Sequence, residues 1–156
     1  MIAQLSQLEE NRLVLLSQTE YLTAEQYNFI PAGFNNNIIW NLGHILFIGD
    51  SILHNRLHIP DYLLLLAKYG KGSKPNELTN LSEIVHIRRS LTESISIYKT
   101  TIQNQSEGFE SAIGKAMQAI SVEALQFLFF HEQMHYTKVA KLLQKVRIKK
   151  LTDNNI

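Results

Sequence analysis

Residues 122–147, VEALQFLFFHEQMHYTKVAKLLQKVR, decide the fold because their apolar side chains recur at helical spacing over about seven turns. One face of the predicted helix carries, in order, Ala124, Leu128, His131, His135, Val139 and Leu142. Residues four apart project from the same side of a helix, so both imidazoles can reach one ion. A buried histidine pair without a partner is costly, and a shared metal ion would satisfy both rings. The stretch therefore predicts an amphipathic helix that directs two histidines into the protein interior.

The rest of the chain continues the helical pattern, with little glycine or proline to interrupt it. The sequence has seven glycines and three prolines in 156 residues, about half the usual share of these two types. The prolines fall between apolar-periodic segments and leave four long predicted helices, at about 3–22, 36–57, 81–105 and 122–147. Two short helical turns are also expected, one after Thr23, where Gln26 completes a capping box, and one within residues 61–69.

Four helices with mostly short links are typical of a helical bundle. The link over residues 59–79 is long enough to return along the bundle, which would make the second and third helices parallel. The predicted fold is therefore all-α, a four-helix bundle with a long crossover connection between helices 2 and 3. We expect one domain over residues 1–151, followed by a short tail over residues 152–156.

The composition excludes several classes of protein. The sequence has no cysteine, which rules out a disulfide framework, a cysteine-ligated metal and a cysteine nucleophile. Its 15 basic and 14 acidic residues nearly cancel, so no strong overall field favours nucleic acid as a partner. No segment resembles a secretory signal or is apolar enough to span a membrane. We expect a cytoplasmic protein that binds neither nucleic acid nor membrane.

The motif HExxH at residues 131–135 is typical of metallopeptidases, but no histidine or glutamate follows His135 to supply a third ligand. A third ligand must then come from upstream, and His44 is the best candidate. It lies about two turns into the second predicted helix, on an apolar face, at a depth that can match the other two histidines. Three imidazoles plus water would form an open site for a divalent ion, namely zinc, nickel or iron, with zinc favoured.

The remaining histidines serve as an internal control for this reasoning. His54 and His58 repeat the four-residue spacing, but they lie about 15 Å and 21 Å along the helix axis from His44. They cannot share its metal, and their place near a helix C-terminus favours solvated side chains. His86 stands alone near the start of the third helix, where we expect a surface or hydrogen-bonded role.

Five further residues flank the candidate ligands, and each has a structural alternative. Glu132 is the candidate catalytic base or acceptor for an imidazole N–H, or else a rim carboxylate paired with a lysine. Trp40 would wall a pocket or simply pack in the core. Asn37 and Asn41 would bind substrate or water, or else cap a helix and lie exposed. Tyr136 is a fifth pocket candidate with the same alternatives.

Two other features of the chain need an explanation. Gly43 and Gly49 lie inside the second predicted helix, where each costs about 1 kcal/mol relative to alanine. Close approach of a neighbouring helix beside the metal would explain Gly43. A basic run closes the fourth helix, formed by Lys138, Lys141, Lys145, Arg147, Lys149 and Lys150. We interpret this run as a solvated helix end, with an anionic thiol cosubstrate or nucleic acid as alternative partners.

Two motifs in this order resemble the DinB-like superfamily, also described as DinB/YfiT-like: FNNNIIWNLGHIL at residues 34–46 and HEQMHY at residues 131–136. The resemblance implies a four-helix bundle with a long crossover, frequent homodimers and a divalent metal ion. The ion would be bound by one histidine of the second helix and two of the fourth, here His44, His131 and His135. Characterised relatives include S-transferases and isomerases that use low-molecular-weight thiols, and many others are labelled only as metal-dependent hydrolases.

Three functions remain open from the sequence. The first is a divalent-metal-dependent enzyme that activates water or a low-molecular-weight thiol for hydrolysis of, or S-transfer to, a small electrophile. The second is a non-catalytic bundle that binds a metal or a small ligand. The third is a purely structural or dimerising bundle with unliganded histidines. A small-molecule substrate, a thiol and a second copy of the chain are the expected partners of the first.

Overall fold

The computed structural model describes residues 2–53, 61–105 and 122–153, and within these ranges all regular structure is helical. Six helices follow one another within these ranges, numbered here in order. They are α1 (Ile2–Gln18), α2 (Ala24–Asn28), α3 (Ile38–Leu53), α4 (Tyr62–Tyr69), α5 (Leu81–Gln105) and α6 (Val122–Asp153). The all-α prediction is confirmed, and the two expected short turns are the helices α2 and α4.

Side-chain caps fix where several of these helices begin. Thr23 forms the expected capping box with Gln26 at the start of α2. The Asn37 side-chain oxygen accepts the backbone N–H of Trp40, so α3 begins at Ile38, two residues later than predicted. The Asn80 side-chain oxygen accepts the backbone N–H of Glu83 and caps α5. Local polar side chains therefore set the start of α2, α3 and α5.

Two predicted helix ends were wrong. The helix α1 ends at Gln18 rather than near residue 22, because the Thr19 hydroxyl donates to the carbonyls of Leu15 and Leu16 where the helix stops. The helix α6 continues to Asp153, past the predicted end at residue 147, because no glycine or proline interrupts its basic last turns. Residues 152 and 153, expected in the tail, continue this helix.

The four long helices contact one another in the pairs α1–α5, α3–α6, α3–α5 and α1–α6. Their apolar faces form two groups of buried side chains. One group includes Ile38, Ile84, Leu91 and Leu142. The other comprises Leu5, Leu8, Leu53, Ile95, Tyr98, Leu125 and Leu128. The residues of α3 that face α6 therefore lie between two groups of packed apolar side chains, one toward each end of the helix.

Some expectations fall beyond the described ranges. His54 and His58 lie there, as do residues 106–121. Within the described ranges, no helix combines the length and the apolar character needed to cross a bilayer.

Candidate metal centre

Three histidines from two helices converge where α3 packs on α6. His44 comes from α3, and His131 and His135 come from successive turns of α6. One ring nitrogen from each histidine lies within 4.8 Å of the other two. The Nε2 atoms of His44 and His131 are 3.1 Å apart. The structure thus brings together the three candidate ligands and forms a possible metal site.

A backbone carbonyl fixes the orientation of His44. Its Nδ1 lies 2.5 Å from the carbonyl oxygen of Tyr69, the last residue of α4. Because a carbonyl only accepts hydrogen bonds, the proton of neutral His44 must be on Nδ1. The Nε2 atom then carries the lone pair and faces the other two histidines. The turn of chain at the end of α4 therefore selects the tautomer that can bind a metal ion.

A chain of two asparagines fixes His135 in the same way. The side-chain nitrogen of Asn41 donates to the Asn37 carbonyl at 2.7 Å, which turns its oxygen toward His135. The Nδ1 atom of His135 lies 2.8 Å from that oxygen and donates to it. The Asn37 side chain in turn donates to the Asn28 carbonyl, which ties this chain of contacts to α2. Both asparagines are buried, and Asn37 caps α3, so the alternative of surface exposure is wrong.

His131 is the least enclosed of the three histidines. His44 and His135 are buried, whereas His131 is half-buried. The ring of Phe127 stacks on the His131 ring at 5.5 Å between centroids, with an interplanar angle of 21°. The His131 Nδ1 atom is buried and has no hydrogen-bond partner in the part of the chain that the structure describes. The open side of the triad is therefore the His131 side.

Trp40 closes the opposite side of the triad. Its indole stacks on His44 at 4.8 Å between centroids and 11° between planes. Its N–H donates to the Lys68 carbonyl at 3.0 Å and to the Ser73 hydroxyl at 3.1 Å, which holds the ring in one orientation. Trp40 thus both packs in the core and walls the histidine cluster.

Gly43 allows the close approach that orients His44. A Cβ atom at this position would overlap the Tyr69 ring, so only glycine admits that ring without a shift. The Tyr69 hydroxyl donates to Glu83 on α5 at 2.7 Å, and Lys68 pairs with the same carboxylate at 2.8 Å. Tyr69 is therefore anchored at its hydroxyl, and its carbonyl is available to His44. The expectation that a neighbouring helix approaches Gly43 is confirmed.

The electrostatic environment keeps the three imidazoles neutral. Burial is the main cause that lowers the pKa of each ring, and the positive charge of Lys138 lowers it further. The pKa falls to about 4 for His131 and about 3 for His135, and the pKa of His44 is also lowered. Neutral imidazole is the form that coordinates metals, so all three rings are available as ligands at neutral pH.

The triad fits a divalent ion by donor chemistry, and one of its pairs also fits by distance. Two nitrogens that each lie about 2.0–2.1 Å from a tetrahedral zinc ion are separated by about 3.3 Å. The separation of 3.1 Å between the Nε2 atoms of His44 and His131 is close to this value. Three histidine ligands leave one position open, which is the arrangement of catalytic rather than structural zinc sites. Imidazole nitrogen suits zinc, nickel and iron alike.

A buried ion pair beside the triad was missed by the sequence analysis. The Arg12 guanidinium of α1 contacts the Glu132 carboxylate at 2.7 Å, and both side chains are 1% exposed. Arg12 also donates to the Ser94 hydroxyl at 2.9 Å, and the Tyr136 hydroxyl donates to Glu132 at 2.7 Å. A Cβ atom at Gly49 would overlap the guanidinium, which explains the second glycine of α3. The signal for this pair was Arg12, which interrupts the apolar stripe of α1.

The other predicted site residues are divided between two neighbouring regions. Asn37, Asn41 and Trp40 support the histidines. Glu132 instead accepts hydrogen bonds from Arg12 of α1 and from the Tyr136 hydroxyl of α6. The partner of Glu132 is a buried arginine rather than the expected lysine at the rim. His86 is exposed on α5, in agreement with its expected surface role.

Comparison with known proteins gives one match. The sequence model of the DinB superfamily matches residues 7–138, a range that contains all three histidines. The chain belongs to the DinB superfamily. No curated protein and no solved structure matches this DinB-superfamily chain.

Proposed function

We propose that His44, His131 and His135 hold a divalent metal ion, with zinc favoured, in an enzyme that acts on a small electrophile. The observation that carries the proposal is the convergence of three neutral imidazoles, two of which are fixed with Nε2 toward the shared centre. A bound divalent cation would polarise water or a thiol and so supply a nucleophile for hydrolysis or S-transfer. Any thiol must come from another molecule, because the sequence has no cysteine.

The residues around the triad have complementary tasks in this proposal. The Tyr69 carbonyl and the Asn41 amide hold the protons of His44 and His135 on Nδ1. Trp40 excludes water behind His44, since it is 6% exposed and stacked on the ring. Substrate would approach from the half-buried His131 side, beside the partly exposed ring of Phe127.

The catalytic role expected for Glu132 stays a prediction. Its carboxylate oxygens accept hydrogen bonds from Arg12 and from the Tyr136 hydroxyl. This arrangement favours a role in holding α6 against α1 over proton transfer at the triad, because the lone pairs of the carboxylate are engaged elsewhere.

We also infer the expected four-helix bundle with a crossover between α3 and α5. One apolar group joins the start of α3 and the start of α5 to the later part of α6, and the other joins the end of α3 to the later part of α5 and the start of α6. This pattern supports parallel α3 and α5, with α6 antiparallel to both. A single domain over residues 1–151, a homodimer and a cytoplasmic location are part of the same proposal.

A non-catalytic metal- or ligand-binding bundle is the second candidate. The hydrogen bonds of the triad rings within the described residues run to a carbonyl, an amide and one another, rather than to a carboxylate. Such a site lacks a dedicated proton acceptor, which favours binding without turnover.

An assay panel separates the two candidates. Zinc-loaded protein would be tested with low-molecular-weight thiols against small electrophiles, and with esters and amides as hydrolysis substrates. An enzyme of the proposed kind gives turnover that is lost in metal-free protein and in the triple variant His44→Ala, His131→Ala and His135→Ala. The matched control is His86→Ala, which removes an exposed histidine and should retain activity. Zinc binding without turnover would support the second candidate, and equal turnover in the triple variant would refute both.

A further inference from the structure

A lysine stands on the same side of α6 as the histidine triad. Lys138 follows His135 by three residues and His131 by seven, so all three share one face of the helix. Its Cα lies about 4.5 Å along the axis from that of His135. The Lys138 side chain is half-buried, and its charge acts on all three histidines. The ammonium group is thus close enough to influence whatever the triad binds.

The charge of Lys138 has no counterion in the surroundings that the structure describes. Salt bridges occupy Lys68, Lys99 and Lys149, each with a glutamate, but none involves Lys138. The nearest acid on α6, Glu132, is engaged by Arg12. A half-buried ammonium beside three neutral imidazoles, and beside a divalent cation when one is bound, makes this region attractive to an anion.

Two exposed apolar side chains lie on the same face, one before His131 and one between His131 and His135. Phe127 is 52% exposed and stacks on His131, and Met134 is 47% exposed one turn before Lys138. Large apolar side chains exposed beside a polar site provide contact area for the apolar part of a ligand. The face therefore presents an aromatic ring, two histidines of the triad and a positive charge in sequence along about 16 Å of helix.

We propose that the triad site takes a small amphipathic anion, whose carboxylate or similar group is bound by Lys138 and whose apolar part lies against Phe127 and Met134. The inference rests on the proposed function of the triad as a metal centre and names the class of molecule that this centre accepts. A substrate or a thiol cosubstrate with an anionic group equally fits the description.

Calorimetric titration of the zinc-loaded full chain with hexanoate tests this proposal. Replacement Lys138→Gln should weaken hexanoate binding by about tenfold or more, because a charge-assisted hydrogen bond is lost. Lys138→Arg should restore most of the affinity. The matched control is Lys145→Gln, which removes the same charge from an exposed site two turns further along α6 and should change the affinity by less than about twofold. Acetate should bind more weakly than hexanoate, and neutral hexanamide should be insensitive to Lys138→Gln.

The outcomes separate this inference from the proposed function. Zinc content is measured first on each variant, and a wild-type chain that binds no zinc would overturn both proposals. If zinc binds but hexanoate does not, or if Lys138→Gln binds hexanoate as tightly as the wild type, the inference alone is wrong. Equal weakening by Lys145→Gln would also overturn it, because the effect would then come from the general positive charge of the helix.

Discussion

Removal of either partner of the buried ion pair between Arg12 and Glu132 should strongly destabilise this fold. Both side chains are 1% exposed, and removal of one partner leaves the other charge buried without its counterion. Breaking such a pair typically costs about 3–5 kcal/mol. For a chain of this size each kcal/mol lowers the melting temperature by about 2–4 °C, so either single variant should melt roughly 10 °C lower. Arg12→Met and Glu132→Gln are the two single variants.

A double-mutant cycle on metal-free protein measures the coupling. Urea denaturation of the wild type, both single variants and the double variant gives four free energies of unfolding. The double variant should recover about 2 kcal/mol or more of the summed losses, because no unpaired charge remains in the interior. The exposed pair of Arg89 and Glu93 is the control, and Arg89→Met should change stability by less than about 1 kcal/mol. Single variants that cost under about 1 kcal/mol, or losses that simply add, would refute the reasoning.

Three further predictions concern the triad and its supports. Asn41→Leu should weaken zinc binding by about 10- to 100-fold, because it removes the acceptor that orients His135, whereas Asn41→Asp should retain most of the affinity. Competition with a chelator measures the zinc affinity of both variants, and an Asn41→Leu affinity equal to that of the wild type would contradict the role of Asn41. Gly43→Ala should lower the free energy of unfolding by about 1–3 kcal/mol in urea, because its methyl group overlaps Tyr69, and an unchanged stability would contradict that packing. Metal-free protein should lose stability as the pH falls below about 6.5 toward 4, because the pKa values of His131 and His135 are lower in the folded state and the unfolded chain binds the extra protons. Urea denaturation across this range should show a smaller fall in the free energy of unfolding for the triple histidine variant. An equal fall in the variant and the wild type would contradict this prediction.

Local sequence signals predicted the helices and the histidine triad because both depend on spacing along one element. The interval between His131 and His135 places both rings on one face, and the apolar residues around them turn that face inward. The position of His44, about two turns into its helix, then indicated that it lies at the same height in the bundle as the other two histidines. Each of these steps uses the helical repeat and the rise per residue.

Contacts between residues far apart in the sequence could not be predicted from helical spacing. Glu132 is adjacent to His131 in sequence, yet its partner Arg12 is 120 residues away, and only the packing of α1 on α6 brings the two together. The Tyr69 carbonyl that orients His44 is likewise a backbone group, which carries no sequence signal of its own. Gly43 and Gly49 leave room for Tyr69 and Arg12, but a glycine in the sequence does not indicate which residue packs against it.

The zinc content of the purified chain tests the metal centre most directly. Protein prepared without an affinity tag or chelator would be loaded with zinc, dialysed and measured by elemental analysis. We expect one zinc ion per chain in the wild type and in the double variant His54→Ala, His58→Ala, and none retained by the triple variant at His44, His131 and His135. Full zinc content in the triple variant, or none in the wild type, would contradict the assignment of the three histidines as a metal site.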